Sequence, residues 1–172
     1  MTNKEHDLDC IVAFTIDGQR FALPLPSVLR VIPVVEITPL PNAPAVIMGM
    51  VNIHGTVIPV ADMRKRMGMA PRGQLLGDKF IIVKTPARTL ALTADEVEPP
   101  QEIEPPQEAA GAAQGRGRFI AAGEVAPGLK HIKGVAALTD GLTLIHDIDG
   151  FLSIEEEQTL DNAIKQTGNQ GD

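Results

Sequence analysis

The chain is dominated by short apolar runs that meet at two-residue turns ending in glycine. In CIVAFTIDGQRFALPL, two such runs flank Asp17-Gly18, a pair typical of hairpins with a type I′ turn. Comparable runs meet at His54-Gly55 and around Asp140-Gly141. Many short strands at close spacing, with Gly and Pro turns and little helix, favour small β-barrels over βαβ units. The sequence therefore predicts an all-β fold with short helices.

Two internal segments carry helix signals. In PSVLRVIP, Ser27 is predicted to cap a single helical turn that Pro33 closes. Further along, Asp62 is predicted to cap the segment MRKRMG, which Gly68 would end because glycine favours the left-handed backbone found after a helix.

The C-terminal segment has the strongest helix signal. Ser153 and Glu156 in SIEEEQ form an S-x-x-E capping box, with acidic residues in the first turn where the helix dipole favours them. The sequence predicts a helix and a tail over residues 153–172. One apolar stripe should dock the helix on the body, and it consists of Leu160, Ala163 and Ile164.

Composition limits the classes of partner. The chain has 172 residues, 44% of them hydrophobic, and is long enough to bury a core. Its net charge of −7 argues against a nucleic-acid partner, because phosphate binding depends on clustered Lys and Arg.

No run approaches about 18 apolar residues, so we expect no direct membrane insertion and a cytoplasmic protein. The lone Cys10 excludes an internal disulfide and any metal site built on a cysteine pair.

The segment LIHDIDG contains the best candidate ligands for a metal ion. His146, Asp147 and Asp149 are of suitable chemistry. In a strand, however, His146 points to one face and the two aspartates to the other, so the three groups do not converge. We expect solvated acids on a hairpin and neither a metal nor another cofactor.

His54 is the main candidate for a catalytic base. It would need a partner acid, and Asp62 should lie at the far end of the following strand, roughly 25 Å away at about 3.3 Å per residue. Serine and cysteine nucleophile motifs and phosphate-binding glycine loops have no match in the sequence. An enzyme or metal protein would have to use some of five residues, namely His54, His131, His146, Asp147 and Asp149.

Two charged segments have ordinary explanations. The basic run RKR at residues 64–66 is predicted to be the solvated face of a short helix. The acidic run EVEPPQEIEPPQE is predicted to be a solvated linker. It leads into a Pro-, Ala- and Gly-rich part, and residues 104–118 are predicted to form a mobile loop.

Four segments together resemble the CheW-like coupling proteins of bacterial chemotaxis, from about residue 9 to about residue 160. They are FTIDGQRFALPLPSVLRVI, ITPLPNAPAVIMGMVNIHGTVIPVADMRKRMG, FIIVK followed by ALTADEVEPPQEI, and IKGVAALTDGLTLIHDIDGFL. The resemblance implies two SH3-like five-stranded β-barrels with a groove between them. It divides the chain into a flexible lead at 1–8 and a CheW-like domain at 9–152, with barrels near 9–78 and 79–152 that are allowed to exchange strands.

The resemblance also implies a non-catalytic adaptor that couples chemoreceptors, the methyl-accepting chemotaxis proteins, to a CheA-type histidine kinase. The receptor's helical tip would pack in the groove, and the kinase's regulatory domain would dock against a barrel. Receptor contacts carried over by resemblance are Leu25, Val28, Arg30, Val31, Asn52, His54 and Gly55. Kinase contacts carried over in the same way are Val57, Ile58, Asp62, Met63 and Arg64.

Two positions depart from the family pattern. Relatives usually have Arg at the position of His54 and commonly have Glu at the position of Arg30. An Arg is always charged and donates through a planar fork, which an imidazole does not reproduce. The alternative is therefore a CheW-like scaffold of another chemosensory pathway, such as pilus motility, with compensating changes in its partners.

Overall fold

The computed structural model describes residues 10–104, 117–121, 131–138 and 141–169. The chain divides into two compact units. Unit 1 draws its described residues from Met1–Val28 and Asp95–Ile148, and unit 2 from Leu29–Ala94 and Asp149–Asp172. Both units thus combine segments from before and after residue 78, where the sequence predicts a division. That predicted division stays a prediction.

Strands dominate the described residues, as predicted. In chain order they are β1 (Cys10–Ile16), β2 (Gln19–Pro24), β3 (Val28–Pro33), β4 (Ile47–Ile53), β5 (Thr56–Ala61), β6 (Lys79–Lys84), β7 (Thr89–Ala94), β8 (Glu96–Val97), β9 (Gln101–Glu104), β10 (Gly117–Ala121), β11 (Ile132–Leu138) and β12 (Gly141–His146). Within the described residues, a 3-10 turn spans Leu25–Ser27, and two helices are present, α1 (Met63–Arg66) and α2 (Ile154–Asn169).

Unit 1 contains a sheet of seven strand segments in the order β2-β12-β11-β10-β9-β1-β8. Because β1 also pairs with β2, the sheet closes on itself. It has more segments than the five that the resemblance implies, partly because β8 and β9 pair separately with β1. The core cluster of this unit consists of Ile11, Ala13, Ala22, Ile103, Ala136 and Ile145.

Unit 2 contains a five-stranded sheet in the order β3-β6-β7-β5-β4. The free edge of β4 is bridged by Thr38, whose N–H donates to the Met50 carbonyl at 2.8 Å and whose carbonyl accepts from the Met50 N–H at 2.7 Å. The segment after β3 therefore covers the far edge of the sheet. The core cluster consists of Val51, Ile53, Ile58, Val60, Phe80, Ile82 and Ala91.

Two predicted hairpins are confirmed by strand register. Ile16 pairs with Gln19 across Asp17-Gly18, and both turn residues have positive φ, 51° and 77°, as a type I′ turn requires. Leu138 likewise pairs with Gly141, and residues 139–140 of that turn lie outside the described part.

The predicted helical turn after Ser27 is wrong. Ser27 ends the 3-10 turn, and Val28–Pro33 is the strand β3. The segment VLRVIP contains the β-branched residues Val28, Val31 and Ile32, which lose side-chain freedom in a helix and pack well in a sheet. Pairing with β6 satisfies the backbone groups that a helix would otherwise bond internally.

Other predicted segments fall partly or wholly on residues outside the described part. The flexible lead at residues 1–8 lies wholly outside it. Of the mobile loop predicted at 104–118, residues 105–116 lie outside it, whereas Glu104 ends β9 and Gly117 begins β10.

Helix α2 begins at the predicted capping box. The Ser153 N–H donates to the Glu156 carboxylate at 2.9 Å, and the Glu156 N–H donates to the Ser153 hydroxyl at 3.1 Å. Of the predicted stripe, Leu160 and Ala163 are buried and Ile164 is half-buried. These contacts dock the helix within unit 2.

Gly49 in β4 has a backbone that other residues rarely adopt, with φ at 155°. A Cβ atom added there would lie 2.3 Å from the Thr38 carbonyl oxygen and 2.8 Å from Cγ2 of Ile37. The backbone that would clash belongs to the bridge over the β4 edge. Glycine at this position therefore permits the close approach that closes the sheet.

We predict that Gly49→Ala destabilises the protein by roughly 3 kcal/mol, since it combines a backbone clash with a strained φ. Urea unfolding followed by circular dichroism measures the change. Gly73→Ala is the matched control, because a Cβ there meets nothing within 4 Å and should leave stability nearly unchanged. Equal stability of the two variants would contradict the argument.

A second prediction concerns pH. Burial by itself raises the pKa of the Glu156 carboxyl, but hydrogen bonds from the Ser153 N–H and the Arg66 guanidinium outweigh it and lower that pKa below its ordinary value. A lowered folded-state pKa contributes stability that is complete above the ordinary glutamate pKa of about 4.3 and is lost as the pH falls through the lowered value.

The stability cost of Glu156→Gln should therefore be larger at pH 6 than at pH 3, two values chosen to lie about 1 to 2 units either side of that ordinary pKa. Urea unfolding at the two pH values measures it. Glu155→Gln, an exposed change on the same helical turn, should show no comparable dependence. A cost for Glu156→Gln that does not change with pH would refute the linkage.

Candidate docking surface

The turn between β4 and β5 is tightly defined. His54 and Gly55 both have positive φ, 52° and 86°, and Ile53 pairs with Thr56 across them. The Asn52 side-chain oxygen accepts the Gly55 N–H at 2.9 Å. Residues other than glycine seldom adopt this left-handed backbone, although histidine does so more often than most, and the turn retains it with the help of the Asn52 hydrogen bond.

The end of this hairpin presents a group of exposed side chains, which we call the hairpin-tip surface. It consists of Asn52, His54, Gly55, Thr56 and Val57, all exposed. Val57 is directly opposite Asn52 and is 58% exposed, whereas Ile58 pairs with Val51 and both are in the core. The strand alternation thus sends one apolar side chain out to solvent and the next one into the barrel.

The structure places three of the seven receptor contacts implied by the resemblance on one surface. Asn52, His54 and Gly55 lie on the hairpin-tip surface. Arg30 and Val31 are exposed on β3, which stands at the opposite end of the hydrogen-bonded strand order of unit 2. Leu25 and Val28 are half-buried and belong to unit 1. Their roles in receptor binding stay predictions.

Most of the kinase contacts implied by the resemblance have little exposure to solvent. Val57 is exposed, but Ile58, Met63 and Arg64 are 5%, 0% and 6% exposed. Asp62 has the structural role predicted for it, because its carboxylate caps α1 by accepting the Lys65 N–H at 3.2 Å. Of this set, Val57 therefore offers the largest surface for direct contact.

The candidate metal and catalytic residues are placed in ways that fit structural roles. His146 is fully buried, with its ring 6.3 Å from the Phe21 ring. The strand β5 separates His54 from Asp62, as predicted. Within the described part of the chain, no group of three or more His, Cys, Asp and Glu residues is arranged to hold a metal ion. In the same part, no helix has the length and apolar character needed to span a membrane.

The sequence does not indicate that Arg66 and Arg88 form ion pairs with carboxylates of α2. The basic run was predicted to be solvated, but Arg64 is buried and the Arg66 side chain is 14% exposed, in an ion pair with Glu156. The signal present in the sequence is the acidic first turn of α2, whose carboxylates are suitable partners for arginines. The identity of the compensating residues is a long-range property of the fold.

Comparisons with known proteins agree with this architecture. The family model of the CheW-like domain matches residues 11–156. The chemotaxis protein CheW of Rhizobium meliloti is 29% identical over 87 residues, which are 51% of this chain and 56% of that relative. The chemotaxis protein CheW of Treponema pallidum is 23% identical over 168 residues, covering 88% of this chain and 86% of the relative. The match thus spans little more than half the length of the first relative.

A solved structure gives the same result at the level of the fold. The crystal structure of the scaffolding protein CheW from Thermoanaerobacter tengcongensis superposes with a TM-score of 0.68 at 25% identity, covering 86% of this chain and 94% of that one. The two curated relatives are named as chemotaxis proteins, and the solved structure is named as a scaffolding protein. Since the family model covers most of the chain and the two β-sheet units match the fold, the chain belongs to the CheW-like family.

Proposed function

We propose that the chain is a non-catalytic adaptor that couples chemoreceptors to a CheA-type histidine kinase. The observation that carries the proposal is membership of the CheW-like family over residues 11–156. Such an adaptor acts in the cytoplasm and reaches receptor arrays through its partners. It needs surfaces for two proteins and no cofactor.

The hairpin-tip surface supports the proposal physically. Interface anchors are usually apolar or aromatic side chains, surrounded by polar groups that set register and partner choice. Val57 supplies an exposed apolar side chain, and Asn52 and His54 supply hydrogen-bonding groups beside it. A rigid turn loses little conformational freedom on binding, which reduces the entropic cost of association.

The direct test is capture of partners by the purified full-length chain. A receptor cytoplasmic fragment and the regulatory domain of a CheA-type kinase, both from the same organism, should each be retained. Retention of neither by folded protein would refute the adaptor function.

Val57→Asp should weaken binding of at least one of these partners by about tenfold or more, because it places an uncompensated carboxylate in the contact. Isothermal titration calorimetry measures the affinity. The control is Ile154→Asp, which replaces an 80% exposed apolar side chain at the start of α2, where an acid is favourable. Unchanged affinity of Val57→Asp for both partners would remove the hairpin-tip surface from the proposed interfaces.

His54→Asn should have opposite effects on the stability of the protein and on its affinity for the receptor. Asn-Gly is the preferred pair of a type I′ turn, so the substitution should raise the free energy of unfolding by about 0.5 kcal/mol. His54→Ala, which lacks that preference, should lower it. Both changes remove the imidazole and should weaken receptor binding in calorimetry. Wild-type affinity of His54→Asn would mean that the imidazole makes no contact with the receptor.

A further inference from the structure

Helix α2 meets the rest of unit 2 through paired charges. Glu156 accepts a hydrogen bond from Arg66 Nη2 at 2.6 Å, and Glu157 accepts one from Arg88 Nε at 2.6 Å. Asp161, one turn further on, pairs with Nη2 of the same Arg88. Three carboxylates of one helix are thus bound by two arginines of the body.

Groups outside α2 contact the backbone of Arg88 and the side chain of Arg66. The Arg88 N–H donates to the Thr85 hydroxyl at 3.1 Å, and the Arg88 carbonyl accepts from the Thr85 N–H at 2.8 Å. Arg66 ends α1, and its guanidinium carbon lies 5.3 Å from the centre of the buried Phe151 ring. Their side chains are 14% and 15% exposed, so the charges are partly desolvated.

Beside the paired carboxylates, α2 also buries two apolar side chains. Leu160 is 0% and Ala163 is 1% exposed. Counted from Glu156, the helix presents carboxylates at positions i, i+1 and i+5 and apolar side chains at i+4 and i+7. An amphipathic helix lays such a face on a body by i, i+3 and i+4 spacing. The surface beneath α2 is therefore shaped and charged for an acidic amphipathic helix.

The attachment of α2 to this surface is modest in strength. The Asp161 side chain is 53% exposed and that of Glu157 is 21% exposed. The Arg88–Asp161 pair, whose carboxylate is exposed, contributes about 0 to 1 kcal/mol and weakens with salt, whereas the Arg66–Glu156 and Arg88–Glu157 pairs are mostly withdrawn from solvent. Few side chains of the helix are fully buried, so tertiary packing, which supplies most helical stability, is limited here.

We propose that the surface formed by Arg66, Arg88 and the apolar contacts of Leu160 and Ala163 is a docking site for an acidic amphipathic helix of a protein partner, which α2 fills in cis. Charge complementarity points to this occupant: the body presents two arginines, and carboxylates at the stated spacing on a helix pair with both. Another acidic helix with the same spacing would compete for the site.

A free helix displaces α2 only if it overcomes the advantage that the tether gives to α2. A tethered helix acts at an effective concentration on the order of millimolar, so a free helix of equal affinity displaces it poorly. A partner must either bind more strongly or meet a protein in which the cis helix has been weakened. The second condition can be produced by mutation without touching the two arginines.

The experiment uses the full-length chain and a synthetic peptide of residues 153–169 with a fluorescent label. The protein variant Glu156→Gln, Glu157→Gln, Asp161→Asn weakens the cis helix and leaves the surface intact. At low salt the peptide should bind this variant at least about tenfold more tightly than it binds the wild type, as measured by fluorescence anisotropy. Adding Arg88→Gln to the variant should abolish the gain.

Glu155→Gln is the matched control for the protein, because Glu155 is exposed on the same first turn of α2. It should bind the peptide as weakly as the wild type does. A control peptide with the three carboxylates replaced by amides should not bind any variant. Hydrogen exchange should show faster exchange of α2 amides in the triple variant, with the strands of unit 2 still protected.

Three outcomes would overturn the proposal. They are no peptide binding to the triple variant, binding that persists without Arg88, and α2 amides that remain as protected as in the wild type. If the triple variant unfolds as a whole, Asp161→Asn alone replaces it, since that side chain is half exposed, and the same outcomes decide. None of these results depends on the kinase or receptor, so failure here leaves the proposed adaptor function standing.

Discussion

The register of the β4–β5 hairpin determines much of unit 2. A two-residue turn fixes which residues face each other, and a slip of one residue would exchange the two faces of each strand. With Ile53 opposite Thr56, Val51 and Ile58 meet in the core while Asn52 and Val57 meet on the outside. The left-handed backbone of His54 and Gly55 is the local requirement for that register.

The same hairpin also places Gly49 against the segment that covers the β4 edge. A shift in pairing between Ile47 and Gly49 lets the glycine lie against the Thr38 carbonyl. The bridge over the β4 edge depends on this close approach, because any side chain at residue 49 would meet the backbone of the covering segment. Sheet edges left uncovered invite pairing with other chains, so covering this edge also hinders such pairing.

Local chemistry made part of this predictable from the sequence. The turn at Asp17-Gly18, the Asp62 cap and the Ser153–Glu156 box each depend on residues within three positions of each other, and all are confirmed. The predicted helical turn after Ser27 is wrong because the β-branched residues that follow favour a strand over the helix that Ser27 could cap. Burial of Arg64 could not be predicted, since it depends on elements that are distant in sequence.

His54 shows how a local rule can be broken at a site of proposed function. Asparagine would suit the left-handed position better, and the chain retains a histidine whose side chain is exposed. Strained backbone positions occur often at binding sites, where the cost is compensated elsewhere. Here the Asn52 side chain provides the compensation by bonding the Gly55 N–H.

The two proposed surfaces of unit 2 lie at opposite ends of β5. The hairpin-tip surface includes Thr56 and Val57 at the start of β5, and α1 with Arg66 follows Ala61 at its end through the Asp62 cap. A strand of this length spans about 20 Å at roughly 3.3 Å per residue, which is more than the width of a single helix of about 10 Å. One partner on the hairpin tip therefore does not block a helix at the arginine site, and the rigid strand between them holds the two contacts at a fixed separation. An adaptor gains from such an arrangement, because simultaneous contacts at a fixed spacing raise the effective concentration of the second partner.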